Sequence, residues 1–165
     1  MREASEFHVR APGPADADAI ARVLIVTWRA TYGHLLPSSF FDDDALEQRT
    51  AMWRSMLNGP RRPPRLRVAE AHGEIVGFAS AGIPIDDEDP VRDLQLYTLY
   101  LLPEHHGSGA GQALLDAVLA GDRAQLWVAE DNPRAHSFYR RNGFLPDGAE
   151  KNYPGTALVE VRLVR

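Results

Sequence analysis

The chain has 165 residues, 44% of them hydrophobic and 25% charged, which fits one domain over residues 1–165 with a core of its own and disfavours disorder, collagen and coiled coil. Its 18 basic residues against 23 acidic ones leave a formal charge of −5, a poor match for a polyanion, so nucleic acid is disfavoured as a partner. Cysteine is absent, which removes disulfides, thiolate metal sites and any mechanism that parks an acyl group on a Cys nucleophile.

The opening stretch Met1–Val9 carries Arg2, Glu3, Glu6 and His8 and lacks the apolar centre of a secretory signal. No run approaches the roughly 18 apolar residues of a membrane helix. A soluble, cytoplasmic protein off the membrane is expected. Phe7–Arg10 alternates as a short strand, and Pro12, Gly13 and Pro14 break it. Ile20, Val23, Leu24, Thr27, Trp28 and Thr31 then recur at helical spacing up to Gly33. A second helix is expected after Pro37 and Ser38, carrying Phe41, Leu46, Trp53 and Met56 inward and stopping by Gly59.

Beyond an exposed Arg61–Arg65 connection the pattern changes to strands. Leu66–Glu70 and Ile75–Ile85 flank His72-Gly73 as a hairpin, and Asp86–Pro90 forms an acidic loop. Leu94–Leu102 is a long strand that Pro103 ends. Leu114, Leu115, Val118 and Leu119 mark a helix closed by Gly121, and Leu126–Ala129 a short buried strand. Asn132 caps a helix with Pro133 at its first position and Arg140 and Arg141 in its last turn. Strands at Phe144-Leu145 and Ala157–Val164 finish the chain. This order predicts an α/β fold: a mixed sheet of seven strands covered by four helices on both faces.

The sharpest local signal is His106-Gly107-Ser108-Gly109-Ala110-Gly111, between a strand end and a helix start. Glycines at alternate positions let the backbone turn tightly and aim successive N–H groups at an anion, although a glycine-lined turn alone needs no ligand. A dinucleotide fingerprint fails here, because its third small residue falls on Gln112 or Leu114. A P-loop fails as well, since the single lysine is Lys151.

The run from Leu99 through Gly111 to Leu115 resembles the acyl-CoA-binding motif of the GCN5-related N-acetyltransferase (GNAT) family, Q/R-x-x-G-x-G/A. Asn132 to Phe144, with its Phe138-Tyr139 pair and Gly143-Phe144 exit, resembles the family's next helix, and Thr27–Tyr32 with Leu35-Leu36-Pro37 its N-terminal helices. His106 departs from the motif by standing where the family has Gln or Arg. The resemblance implies the acyl-CoA N-acyltransferase fold with a mainly antiparallel sheet, and acetyl-CoA as cosubstrate. It implies a cradle for the pyrophosphate at Gly107, Ser108, Gly109, Ala110 and Gly111, with His106 beside it. Pantetheine would lie along Leu99, Tyr100 and Leu101, with Asn132 opposite and a strand bulge near Leu101 offering an N–H to the oxyanion. Pairing into homodimers is also implied.

By the same resemblance Tyr139 is the acid that protonates the departing thiolate, whereas its helical spacing alone favours a core aromatic. Gln95 stands where many members carry the Glu base, which leaves Asp93, Glu130, a water relay or an amine arriving already neutral. Trp28 and Tyr32 are expected to line the acceptor pocket, and Asp86–Asp89 either steers a cationic amine or is a solvated loop. Six histidines without metal-binding spacing predict no metal, and the absence of G-x-S-x-G disfavours a serine hydrolase. The expected activity is transfer of acetyl to a primary amine of a small molecule or a peptide N-terminus. A non-catalytic acyl-CoA sensor is the alternative.

Overall fold

The structure is a computed structural model and describes residues 7–165; Met1–Glu6, part of the polar opening, lies outside the described residues. In chain order the elements are β1 (Phe7–Arg10), α1 (Ala17–Tyr32), α2 (Asp43–Asn58), β2 (Arg67–Ala71), β3 (Glu74–Gly82), β4 (Gln95–Leu101), α3 (Ala110–Leu119), β5 (Gln125–Ala129), α4 (Pro133–Arg141), β6 (Leu145–Asn152) and β7 (Val159–Val164). All seven strands join one sheet in the order β1-β2-β3-β4-β5-β7-β6, antiparallel except for the β4–β5 pair. The expected mixed sheet with four helices is present. None of the described helices is long and apolar enough to cross a membrane.

The buried stripe Ile20, Val23, Leu24 and Thr27 seats α1 on the sheet. The helix after Pro37 starts later than expected, at Asp43, because the Asp42 carboxylate accepts the Ala45 N–H at 2.9 Å and caps it there. Ser38–Phe40 form a separate 3-10 turn, so Phe41 is buried ahead of the helix rather than on it. Between β2 and β3, His72 and Gly73 both have positive φ (52° and 79°), the geometry of the tight two-residue hairpin turn. β3 ends at Gly82, earlier than expected, leaving Ile83 and Ile85 exposed beyond it.

Neighbouring residues along the strands face opposite layers. Val68 and Phe78 pack with Trp53 and Leu57 under α1 and α2, whereas Ala69 and Ala79 pack with Leu114, Leu115 and Val118 under α3. Helices thus cover both faces.

One defect in the sheet positions the site. Ser80 opposes Thr98 while Ala81 opposes Leu96, so Tyr97 is an extra residue in β4, a bulge that bends the strand. The parallel pairing with β5 holds only at Gln95–Gln125 and Leu96–Leu126 and stops where that bulge begins. Past it, β4 and β5 diverge.

Candidate active site

The gap between the diverging strands opens into a cavity of about 1130 Å³, walled by Tyr97–Leu101 of β4 and Leu126–Ala129 of β5, with α1, α2 and α4 around it. Backbone alternation decides what β4 offers to this gap. The Leu102 N–H donates to the Val76 carbonyl at 2.8 Å, so Tyr100 and Thr98, two and four residues back, also turn their polar groups toward β3. The N–H and C=O of Leu99 and Leu101 therefore face the gap. Of the three residues expected along the pantetheine, Tyr100 turns its main chain away and its ring to Phe78, 5.5 Å between centroids. The bulge lies at Tyr97, four residues before the expected Leu101.

At the mouth of the gap, Gly107 (φ 77°) and Gly109 (φ 91°) adopt left-handed conformations that exclude a side chain at little cost only for glycine. Among the described residues, the N–H groups of Gly107, Gly109, Gly111 and Gln112 have no partner, and the last two belong to the unsatisfied first turn of α3. Gly111 differs from the other two. Its φ is not positive, and a Cβ there would meet Leu101 and Phe138 at an ordinary 3.9 Å, so the protein's own packing has no need of a glycine.

Ser108 and Ala110 do not line the cavity. The Ala110 N–H is taken by Ser108 Oγ at 3.2 Å, and the Ala110 side chain is buried in the core. His106 lines it, but its Nε2 lies 3.1 Å from the Leu101 carbonyl oxygen, which ties the glycine turn to the end of β4 instead of leaving the ring extended. Arg134 and Arg141 of α4 also line the cavity and add positive charge to it.

Asn132 accepts the Ala135 N–H at 3.2 Å as the α4 cap, and His136 Nε2 lies 3.0 Å from the Ala129 carbonyl oxygen, pinning the helix to the end of β5. That fixes Tyr139, whose ring packs between Phe138 and Phe144 with centroids 5.3 and 5.8 Å away. It is buried as a core aromatic would be, yet it lines the cavity. Burial pushes its phenol well above the ordinary tyrosine range, so it stays protonated at neutral pH.

The opposite end of the cavity is aromatic. Trp28 lies 5.0 Å from Tyr32 and 5.1 Å from Tyr153, all three lining the space. The Trp28 indole N–H is buried with no hydrogen-bond partner among the described residues. Burial raises the Tyr32 phenol, with the Asn132 side chain opposing it. Met52, Met56, Ile83 and Ile85 form an apolar flank toward solvent.

Glu160 of β7 is the single carboxylate among the described residues that line the cavity. It has no hydrogen-bond or ion-pair partner there, and burial raises its carboxyl above the ordinary range despite the charge of Lys151. Asp93 and Glu130, the bases left open by the sequence, are exposed and outside the cavity. Gln95 is buried, its Oε1 accepting the Ile85 N–H at 3.2 Å.

In the acidic loop Asp86, Glu88 and Asp89 are exposed, as in a solvated run, and none of the four residues lines the cavity, but Asp87 is withdrawn from solvent. Asp87 is buried against Arg162 (3.2 Å) and Gln125 (2.6 Å), and Arg162 also reaches Asp147 at 2.7 Å. Burial pushes Asp87 up, but bonds from the Asp89 N–H, Arg162 and Gln125 outweigh it and hold the carboxyl below its usual range. Sequence patterning hides both groups, because Val159-Glu160-Val161-Arg162 alternates as a strand with one solvated face would.

Known proteins resemble this chain in sequence and in fold. The sequence model of the acetyltransferase (GNAT) family matches residues 25–144. The chain is 34% identical over 158 residues to the uncharacterised N-acetyltransferase YuaI of Bacillus subtilis, covering 90% of this chain and 86% of that one. It is 39% identical over 117 residues to an uncharacterised N-acetyltransferase of Mycobacterium tuberculosis, 67% and 69% of the two chains. The fold matches the crystal structure of PaiA N-acetyltransferase from Thermoplasma acidophilum in complex with coenzyme A, with a TM-score of 0.69, 19% identity and coverage of 97% and 99%.

Proposed function

Because the chain belongs to the GNAT family of acetyltransferases and so takes acetyl-CoA as its donor, we propose that it passes acetyl directly to a primary amine of a small molecule or a peptide N-terminus. The observation that carries this reading is the row of unpartnered N–H groups at Gly107, Gly109, Gly111 and Gln112, set at the mouth of a gap whose β4 wall presents the main chain of Leu99 and Leu101.

The donor brings a thioester, whose acetyl group is ready for transfer. The four amides suit its diphosphate, and a glycine at 111 suits an anion approaching the helix end closely. The Leu99 and Leu101 main chain suits an extended amide-bearing arm. One of those N–H groups also serves the oxyanion that develops at the carbonyl, where a fixed donor in a dry site acts most strongly. Tyr139 holds a proton at neutral pH and gives it to sulfur as the C–S bond breaks. The acceptor enters from the side of α1 and α2, past the apolar flank of Met52, Met56, Ile83 and Ile85, and reaches the wall of Trp28 and Tyr32.

No observation favours a non-catalytic acyl-CoA sensor: Gln95 and His106, the two departures from the family's pattern, have structural partners in the Ile85 N–H and the Leu101 carbonyl. The test is thiol release from acetyl-CoA across amino acids, polyamines, aminoglycosides and peptides with free N-termini. At least one class is expected to raise release well above hydrolysis. Binding of coenzyme A with no amine accelerating release would overturn transfer to an amine of these classes.

A further inference from the structure

Amine acetylation has a requirement that the cradle and Tyr139 leave unmet. A primary aliphatic amine is an ammonium at neutral pH, and the proton must leave before nitrogen can attack. The cavity's other charged side chains are cationic or, for His106, cationic when protonated: His106 beside the glycine turn, Arg134 and Arg141 of α4, and Arg49, Arg61 and Arg62 on the α2 side. Glu160 is the exception.

Its position is built by the sheet. Glu160 stands opposite Ala129, the last residue of β5, on one side and Lys151 of β6 on the other, which puts it beside the widening gap. The groups facing it are Lys151 from β6 and Tyr32 from α1, with Tyr153, from the turn after β6, next to Tyr32. Lys151 is engaged elsewhere: its Nζ donates to the Asp86 carbonyl at 2.7 Å and lies 4.4 Å over the Trp127 ring. The carboxylate is thus left without a hydrogen bond among the described residues, next to aromatic rings whose faces favour a cation.

We propose that Glu160 receives the acceptor's ammonium at the wall of Trp28, Tyr32 and Tyr153 and is the general base that takes its proton. The proposal rests on the N-acetyltransferase reading of the cavity. One N–H proton passes to the Glu160 carboxylate and from there to solvent. The freed lone pair forms the C–N bond to the acetyl carbon while the C–S bond breaks and Tyr139 protonates sulfur. The second proton, shed by nitrogen as the amide forms, restores the phenol. A half-buried glutamate titrating above its ordinary range is better matched to this task than an exposed one.

The experiment compares wild type, Glu160→Gln and Glu160→Asp by thiol release from acetyl-CoA over about pH 5 to about pH 9. The acceptors are 2-phenylethylamine, tyramine and a dipeptide, all ammonium at neutral pH, with aniline, which is neutral there, as the contrast. Glu160→Gln is expected to lower kcat on the ammonium acceptors by about 10²-fold, to replace the acid limb set by Glu160 with a rate that climbs with the acceptor's own deprotonation, and to change aniline turnover by less than about threefold. Glu160→Asp should restore part of the acid limb, and calorimetry should find coenzyme A affinity the same in all three.

Equal losses on aniline and 2-phenylethylamine, or an unchanged acid limb, would overturn the base while the transferase reading stands. So would a wild type that binds coenzyme A and acetylates aniline alone. A wild type that fails to bind coenzyme A would remove the parent reading and this one together.

Discussion

The cavity's two ends are built by opposite means. The cradle end comes from one contiguous stretch, His106–Gln112, whose geometry follows from positive φ at two glycines and the free first turn of a helix. The acceptor end gathers Trp28 and Tyr32 from α1, Tyr153 from a turn and Glu160 from β7, residues up to 132 positions apart in the chain. Local backbone rules fix the first, whereas the packing of segments far apart in the chain holds the second. The two should therefore fail separately.

Tyr139 joins the ends, and its loss should be the largest effect. Tyr139→Phe keeps the ring between Phe138 and Phe144 and removes only the proton. A fall in kcat of about 10²–10⁴-fold is expected, with coenzyme A affinity unchanged. Full turnover at every pH would show that another group protonates sulfur.

Next comes the clamp by which Arg162 of β7 holds Asp87 of the acidic loop and Asp147 of β6. Arg162→Ala leaves Asp87 and Asp147 without their cation, and denaturant melts should show a loss of about 3–5 kcal/mol. The sign with pH follows from the depressed carboxyls. Asp87 and Asp147 are held below the usual range, so their contribution is present above about pH 4 and is lost as pH falls through their folded values. Wild type should lose stability in that acid window, and the variant should lose less. Equal acid limbs would mean that the clamp is not the source.

The same contrast explains what could be read from the sequence. Hydrophobic periodicity and turn residues carry the four helices and most of the strands, because each depends on neighbours within a few positions; β6 shows only its start at Leu145, since the rest of it, through Asn152, has no apolar alternation. The glycine cradle, equally local, was legible too. The bulge at Tyr97 was not, since an extra residue in β4 is defined only by its register against β3. The acidic run at 86–89 drew attention by density of charge, yet Asp87 is spent on Arg162. Glu160 drew none, because whether a carboxylate has a partner is decided by β6, α1 and the turn that fold against it.

At the cradle a smaller effect is expected from Gly109→Val, which forces a β-branched residue to φ 91° at the start of α3. Coenzyme A affinity should drop by about tenfold or more, roughly 1.4 kcal/mol, with Tyr139 still in place. An unchanged affinity in calorimetry would count against the amides as the diphosphate site.

Gly111→Ala is the mildest change and the most discriminating, because its two readouts should move in opposite directions. The position lies in the first turn of α3 without positive φ, and the added Cβ has 3.9 Å to its nearest neighbours. Removing glycine's unfolded-state freedom should therefore raise stability by about 0.4–1 kcal/mol. If the glycine serves an anion's close approach to the Gly111 and Gln112 amides, coenzyme A affinity should fall at the same time. A variant more stable with undiminished affinity would reduce Gly111 to a bystander and leave the cradle to Gly107 and Gly109. A variant less stable would mean that the helix start is tighter than its contacts indicate.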